Sequence, residues 1–441
     1  MTSTKNRSGL VPMTIGEIIS SVADGEKSPV RIEAYDGSSF GPEDCPLVIR
    51  IVSEEAVQQF VAAPGDLGLA RAYLTGSIEI VRGVHPAAPH DVFGALEILR
   101  KKMAHKPDLA TTLRILRSVG IKAINPNVPI PHMEIVAPWR RALSGAGRHT
   151  KERDSKAVSY HYDVSNKFYE WVLGPSMTYT CACYPTADAT LEEAQENKYR
   201  LVFDKLGLSE GDRLLDVGCG WGGMVRYAAR RGVRVIGVTL SKEQASWAQA
   251  AIAEEGLGDL AEVRLQDYRD VPEGEFDAIS SIGITEHIGA ENYAAYFAKL
   301  RSMLKPGGLL LNHCITRPEN TRTTKAGAFI DRYIFPDGEL AGAATVQLEA
   351  ENTGFETVHG ENLRPHYAFT LREWCKNLEA HWDEAVEEVG MPMAKLWGLY
   401  MGACQYAFET NVVQLHQILL VNLDAEKGKP WDVPLRQWWK A

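Results

Sequence analysis

Eleven residues decide the fold: Arg213-Leu214-Leu215-Asp216-Val217-Gly218-Cys219-Gly220-Trp221-Gly222-Gly223. Arg213 to Val217 reads as a buried strand, short and apolar, with a carboxylate near its end. The alternating glycines that follow make a turn in which backbone can approach a ligand closely. An amphipathic helix is expected next, from Gly223 to about Arg231.

Working outward, the pattern repeats. VRVIGVTL (233–240), EVRLQ (262–266), FDAISSIG (276–283) and GGLLLNHCIT (307–316) read as strands. SKEQASWAQAAIAEE (241–255) and NYAAYFAKLRSML (292–304) read as helices. Strands alternating with helices at this spacing predict an α/β fold, a Rossmann-like parallel sheet with helices on both faces. Ligands of such sheets bind at the carboxyl ends of the strands.

Glycines alone are weak evidence, because dinucleotide-binding loops also use them. Here the carboxylate of Asp216 ends the strand, and Gly218, Gly220 and Gly222 follow a G-x-G-x-G spacing with Cys219 and Trp221 between them. That combination resembles the first motif of S-adenosylmethionine-dependent methyltransferases. The second strand ends at Thr239-Leu240-Ser241, without the acidic residue that often holds a ribose. A backbone group, the Thr239 and Ser241 hydroxyls, or nearby Gln244 would have to serve. The third strand runs into Gln266-Asp267-Tyr268, where a carboxylate suits an adenine amino group and a ring can stack. Each has an ordinary structural reading too: Thr and Ser before a helix are common caps, and Asp267 suits a turn.

The rest of the chain bounds the answer. Its 441 residues allow two to four domains. Hydrophobic residues make up 45% and charged residues 24%, as in ordinary globular proteins. With 47 basic against 57 acidic residues the net charge is −10, which argues against a general nucleic-acid binder. Seven cysteines, at 45, 181, 183, 219, 314, 375 and 404, form no CxxC pair, so neither a zinc ribbon nor a disulfide framework is suggested and a reducing, cytoplasmic setting is expected. The opening MTSTKNRSGLVPM lacks the apolar core of a signal peptide. No apolar run reaches the roughly 20 residues of a membrane span. From Arg100 to Lys156 there are 13 Lys/Arg and four Asp/Glu, a local charge of +9. This proline-broken stretch reads as a basic connector, either simply solvated or a docking patch for anionic lipid. It divides an N-terminal α+β module (1–130), through a linker (131–158), from a larger C-terminal domain (159–441).

Further segments carry a more specific resemblance: SYHYDVSNKFYEWVLGPSMTYTCACY (159–184), GVTLSKEQ, SIGITEHIG (281–289), HCIT (313–316), YIFPDGEL (333–340) and PHYAFTLREW (365–374), together with PGDLGLARAYLTGSIEI in the N-terminal module. In this order they resemble the cyclopropane-fatty-acyl-phospholipid synthase family. The N-terminal module sets the chain apart from the shorter synthases acting on mycolic acids. It looks closer to a branch linked to methylene- and methyl-branched chains such as tuberculostearic acid.

The resemblance implies S-adenosylmethionine as methyl donor and the cis double bond of a phospholipid acyl chain as acceptor. An isolated alkene is a weak nucleophile, so the sulfonium drives transfer and leaves a carbocation that must lose a proton. The site must exclude water, and aromatic faces favour the cation. In the family a bound bicarbonate is thought to take the proton. Its ligands map onto Glu286, His313, Cys181, Tyr367 and the backbone of Ile282, and Tyr179 and Thr180 map onto the cofactor site. Bicarbonate beside Glu286 requires a shared proton and hence a coupled titration. Cys404 matches a second family cysteine, for which packing on a helix with Trp397, Tyr400 and Phe408 suits the chemistry better than covalent catalysis. Departures are Ser165 in place of the usual glycine, and Cys183 and Pro185 after TCA; they leave product choice open. Direct loss of a methyl proton closes a cyclopropane, whereas a prior hydride shift gives an exocyclic methylene. The resemblance also implies peripheral attachment to an anionic membrane face and self-association as a homodimer, which the sequence does not decide.

Overall fold

The computed structural model describes residues 12–23, 26–102, 108–120, 127–134, 165–321, 323–325, 327–336 and 338–423. It divides into two compact units. One holds Met1–Ile135 with Met391–Ala403, and the other holds Val136–Gly390 with Cys404–Ala441.

The first unit contains α1 (Ile15–Ser20), β1 (Arg31–Ala34), β2 (Ser39–Phe40), β3 (Val48–Ile51), α2 (Glu54–Ala62), α3 (Asp66–Leu74), β4 (Ile78–Arg82), α4 (His90–Lys102) and α5 (Leu109–Val119). Its sheet runs β2-β1-β3-β4, with β1 and β3 parallel. Val30, Phe40, Ile49, Val92 and Leu99 fill its core. This is the small α+β module expected from sequence. Two details differ from the expectation. The basic stretch is not connector throughout: Arg100 and Lys101 end α4, and Arg114 and Arg117 ride on α5. Residues 391–403, far along the chain, pack with this unit, so the C-terminal domain is not one unbroken run from 159. Of the expected linker, 127–134 is described and holds one 3₁₀ turn, His132–Glu134. Glu134 is buried and accepts from Arg71 Nε at 2.6 Å, which ties that turn to α3. The remainder of the linker, and 159–164 of the family-like segment, lie outside the described residues.

The second unit contains α6 (Asn166–Leu173), α7 (Leu191–Lys205), β5 (Arg213–Val217), α8 (Gly223–Ala229), β6 (Arg234–Thr239), α9 (Lys242–Glu254), β7 (Ala261–Leu265), β8 (Phe276–Ile282), α10 (Thr285–Ile288), α11 (Tyr293–Met303) and β9 (Leu304–Thr316). There follow β10 (Thr324–Lys325), α12 (Ala328–Tyr333), β11 (Glu339–Leu340), α13 (Ala343–Asn352), β12 (Phe355–Asn362), α14 (Arg364–Ala380), α15 (Trp382–Val389), α16 (Met391–Glu409, of which only the part from Cys404 belongs to this unit) and β13 (Gln414–Asn422). The seven-stranded sheet runs β12-β13-β9-β8-β5-β6-β7. β7, β6, β5, β8 and β9 pair in parallel, as the sequence predicts. β13 is the exception. It lies antiparallel between β9 and β12, so the sheet is mixed rather than wholly parallel.

Side-chain alternation explains why helices cover both faces. Leu215, Ile279 and Leu310 enter one core with Phe297 and Val346. Their chain neighbours Leu214, Ala278 and Leu311 enter the other, with Val202, Val225 and Ala248. Period-two runs that are apolar at every position are the mark of strands buried on both sides. Each large aliphatic side chain so buried contributes about 1.5–3 kcal/mol.

Candidate active site

The glycine loop sits where β5 ends. Gly218, Gly220 and Gly222 have φ of 71°, 55° and 75°, the left-handed region that costs other residues energy. Gly223 is required for a second reason: a Cβ there would lie 1.9 Å from the Tyr199 hydroxyl oxygen. A Cβ on Gly220 would meet open space, so the loop keeps one uncovered face. Asp216 is buried and accepts from Ser280 Oγ at 2.6 Å. Desolvation lifts its carboxyl to about 6, against the opposing pull of Ser280 and Lys198. Cys219 is buried, with its thiol pushed well up by burial. Trp221 is buried too, and donates from Nε1 to Asn166 Oδ1 at 3.1 Å.

At the end of β6, the groups offered for a ribose bond to one another. Thr239 Oγ1 donates to Gln244 Oε1 at 2.7 Å, and Ser241 caps α9 by accepting from the Gln244 amide. All three side chains are buried. Leu240 lies between them at the strand-to-helix turn. Beyond β7, Gln266 donates to the Asp270 carbonyl, and Asp267 takes Arg269 through both carboxylate oxygens at 2.8 and 2.6 Å. Tyr268 meets Tyr296 edge-on at 5.6 Å.

The TYTCACY segment has no regular structure of its own and is pinned by α7. Gln195 donates to the Thr180 carbonyl, Asn197 donates to the Cys183 carbonyl, and the Cys183 amide bonds the Ala194 carbonyl. The Ala182 amide donates to Thr370 Oγ1 on α14 at 2.9 Å. Cys181 is fully buried, and desolvation raises its thiol well above the ordinary range, so it is a neutral S–H. Lys198, which the sequence did not single out, is buried with its Nζ 2.8 Å from Thr180 Oγ1. Burial pulls its ammonium down to about 8, while Cys183, Cys181 and Asp216 resist. Ser165, the residue replacing the family glycine, caps α6 and donates to Glu388 Oε1 at 2.6 Å.

Glu286 and His313 are placed by β8, the helical turn α10 that follows it, and the adjoining strand β9. Ile282 and His313 are register partners, and the Gly283 amide donates to the His313 carbonyl at 2.8 Å. Glu286, on the one-turn α10, accepts from the Ile315 amide at 2.7 Å, two residues beyond His313. Its other oxygen, Oε2, is buried and has no protein partner. Desolvation lifts the carboxyl to about 7, with the backbone bonds acting against it. His313 is buried, and desolvation followed by the fields of Lys198 and Lys205 lowers it to about 3. Its Nε2 is likewise buried without a partner.

Aromatic rings run from the glycine loop to Tyr367. Trp221 lies 4.9 Å from Tyr169, Tyr169 lies 5.9 Å from Tyr179, and Tyr179 stacks on Trp374 at 5.3 Å. Trp374 meets Tyr367 edge-on at 6.2 Å, and Tyr367 lies 4.5 Å from Phe408. Tyr169 and Trp374 were not picked out from sequence, where a buried aromatic in a helix looks like any core residue. Cys404 has Cys375 of α14 as an electrostatic neighbour and is partly exposed. No group of three or more metal-ligating side chains occurs among the described residues.

A seven-stranded mixed sheet, a glycine loop after its first central strand and a covered cluster at the neighbouring strand ends define an S-adenosylmethionine-dependent methyltransferase. Residues 149–418 match the family model described as mycolic acid cyclopropane synthetase, and the chain belongs to that family. It is 53% identical, over 97% of its length and 99% of the relative's, to a probable fatty acid methyltransferase of Mycobacterium tuberculosis. It is 37% identical to the cyclopropane-fatty-acyl-phospholipid synthase of Escherichia coli strain K12, over 59% of this chain and 66% of that one. Among solved structures, a mycolic acid cyclopropane synthase complexed with SAH and CTAB superposes with a TM-score of 0.57 at 34% identity, covering 60% of this chain and 98% of that one.

Proposed function

We propose that this protein transfers a methyl group from S-adenosylmethionine to the cis double bond of an unsaturated acyl chain in a membrane phospholipid, giving a cyclopropane or a methylene-branched chain. The observation that carries the reading is the pair of orphaned buried atoms, Glu286 Oε2 and His313 Nε2, brought to neighbouring strand ends. A carboxyl near its midpoint at neutral pH, together with an imidazole that stays neutral, suits a small anion that itself carries a proton. Bicarbonate has that character, and Cys181, Tyr367 and the Ile282 carbonyl complete the set that would hold it. The donor supplies an electrophilic methyl, and the bicarbonate supplies a proton acceptor.

The chain's own part is positional and electrostatic. The open face at Gly220 and the buried ammonium of Lys198 beside Thr180 fit a ligand bearing a carboxylate. The rings of Tyr169, Tyr179, Trp374 and Tyr367 offer π faces to developing positive charge. Burial of His313 and Cys181 keeps water from a cation it would trap.

A phospholipid acceptor also demands contact with a bilayer. Among the described residues no helix is long and apolar enough to cross one. On α5, however, Leu109, Leu113 and Leu116 are 77%, 52% and 63% exposed and share one face, with the exposed Arg117 beside it. An exposed apolar stripe with an arginine at its edge suits an anionic membrane surface. We therefore place α5, with the basic connector, at a peripheral contact on the cytoplasmic leaflet.

The test is gas chromatography with mass spectrometry of lipids from a heterologous host expressing the chain and fed oleate. A saturated ring product heavier by one CH₂ makes it a cyclopropane synthase. An exocyclic methylene of the same mass makes it a methylene-forming enzyme. No new lipid, while the methyl donor still binds, overturns the phospholipid assignment in favour of another acceptor.

A further inference from the structure

The imidazole of His313 is wired from behind. His313 on β9 faces Gln417 on β13 as a register partner, and Gln417 faces Glu361 on β12. Gln417 Nε2 lies 3.2 Å from His313 Nδ1. Lys205, at the end of α7, places its Nζ 2.6 Å from Gln417 Oε1 and 2.5 Å from Glu361 Oε2. Lys205 and Gln417 are 3% and 1% exposed, so water does not compete for these groups.

The direction of the chain follows from donor and acceptor inventories. An ammonium has donors only, so the amide atom facing Lys205 must be oxygen. The atom facing His313 is then the NH₂, which also only donates. Nδ1 must accept, and a neutral imidazole that accepts at Nδ1 carries its hydrogen on Nε2. Glu361 takes up the charge of Lys205, so the relay ends in an ion pair at its outer end.

We infer that Gln417, held by Lys205, is a positioning residue that fixes His313 as the Nε2–H tautomer, so that the histidine enters the site as a hydrogen-bond donor and not as its base. The inference rests on the assignment of His313 to the anion site. It goes further in giving the atom, the proton and the residues that set them. A donor at Nε2 orients an anion lone pair toward the ring and leaves that anion as the proton acceptor. A histidine of the opposite tautomer would offer a lone pair and repel the same anion.

The test is ¹⁵N NMR of the full-length protein labelled at histidine, with the His313 signals assigned by their loss in His313→Gln. The expected wild-type pattern is a neutral ring protonated at Nε2, and finding the hydrogen on Nδ1 overturns the inference. In Gln417→Glu the new carboxylate accepts from the ring and draws the hydrogen to Nδ1. With that change kcat should fall about 10–100-fold, the scale known for residues that orient metal-binding histidines, with the KM for lipid little altered. An unchanged tautomer, or a changed tautomer with unchanged kcat, overturns it. If Gln417→Glu fails to fold, Lys205→Met frees the amide to rotate and is read in the same way, while Lys205→Arg should preserve the wild-type pattern. The NMR result stands apart from turnover, so failure of the lipid assignment and failure of the tautomer assignment are distinguishable.

Discussion

The ammonium of Lys198, 1% exposed, makes its hydrogen bond to the hydroxyl of Thr180 at 2.8 Å, and no carboxylate pairs with it among the described residues. A buried cation held by one hydroxyl and the face of the Tyr199 ring, 4.3 Å away, is costly to the fold and suits a ligand anion. Lys198→Met is therefore expected to stabilise the ligand-free protein by roughly 1–3 kcal/mol at pH 7, while weakening binding of S-adenosylhomocysteine at least tenfold. Thermal unfolding and titration calorimetry check the two halves. The sign follows from linkage. The folded pKa is lowered to about 8, so the stability gap between variant and wild type persists below pH 8 and narrows above it. A variant both less stable and equally able to bind would refute this.

Glu286 predicts a pH-dependent need for bicarbonate. Its carboxyl, lifted to about 7 by burial, is increasingly ionised above neutrality and then repels a second anion. The apparent KM for bicarbonate should rise as pH increases from 6.5 to 8.5. In Glu286→Gln that rise should vanish, with kcat lower throughout, which steady-state kinetics in bicarbonate-depleted buffer would show.

His313 makes a prediction about stability. Its folded pKa is depressed to about 3, so the unfolded chain takes up a proton near pH 6.5 and the native state does not. Acid therefore favours unfolding through this residue, by about 2 kcal/mol at pH 5 relative to pH 7. Glu286 acts in the opposite sense over pH 4.5 to 7, because its folded pKa is raised. Urea denaturation of His313→Gln against wild type isolates the first contribution. Equal slopes of stability with pH in the two proteins would rule it out.

The exposed leucines of α5 predict how the protein meets a bilayer. Leu113→Ser with Leu116→Ser should weaken binding to phosphatidylglycerol vesicles about tenfold or more, since each buried leucine contributes about 1.5–3 kcal/mol. Added salt should weaken wild-type binding, and neutral vesicles should bind poorly. Vesicle co-sedimentation decides; insensitivity to both the leucines and the salt would remove α5 from the contact.

The central sheet was legible because β5 to β9 are short, apolar-rich runs, most of them separated by well-formed helices. β12 and β13 were not, because FETVHGEN is half polar and QLHQILLVN follows a helix without the βαβ rhythm. Glu286 and His313 could be placed through the family segments that contain them. Lys198, Lys205 and Gln417 could not. A buried lysine or glutamine has the same letter as a solvated one, and only the three-dimensional arrangement shows that water is excluded. The hydroxyls of Thr239 and Ser241 carry two readings at once, since they suit a ligand and also bond the start of α9.

The position of β13 has a consequence for biosynthesis. Residues 414–422 fill the interior slot between β9 and β12, although they are translated after every other strand among the described residues. Until they leave the ribosome, β9 would present Leu309 to Cys314 as an edge with unpaired backbone and three leucines, the kind of edge that recruits other chains. A nascent chain halted before residue 414 would be a stalled, adhesive intermediate and a natural client for chaperones. It would also lack Gln417, so a chain of this kind completes its sheet and the backing of its histidine in the same late event.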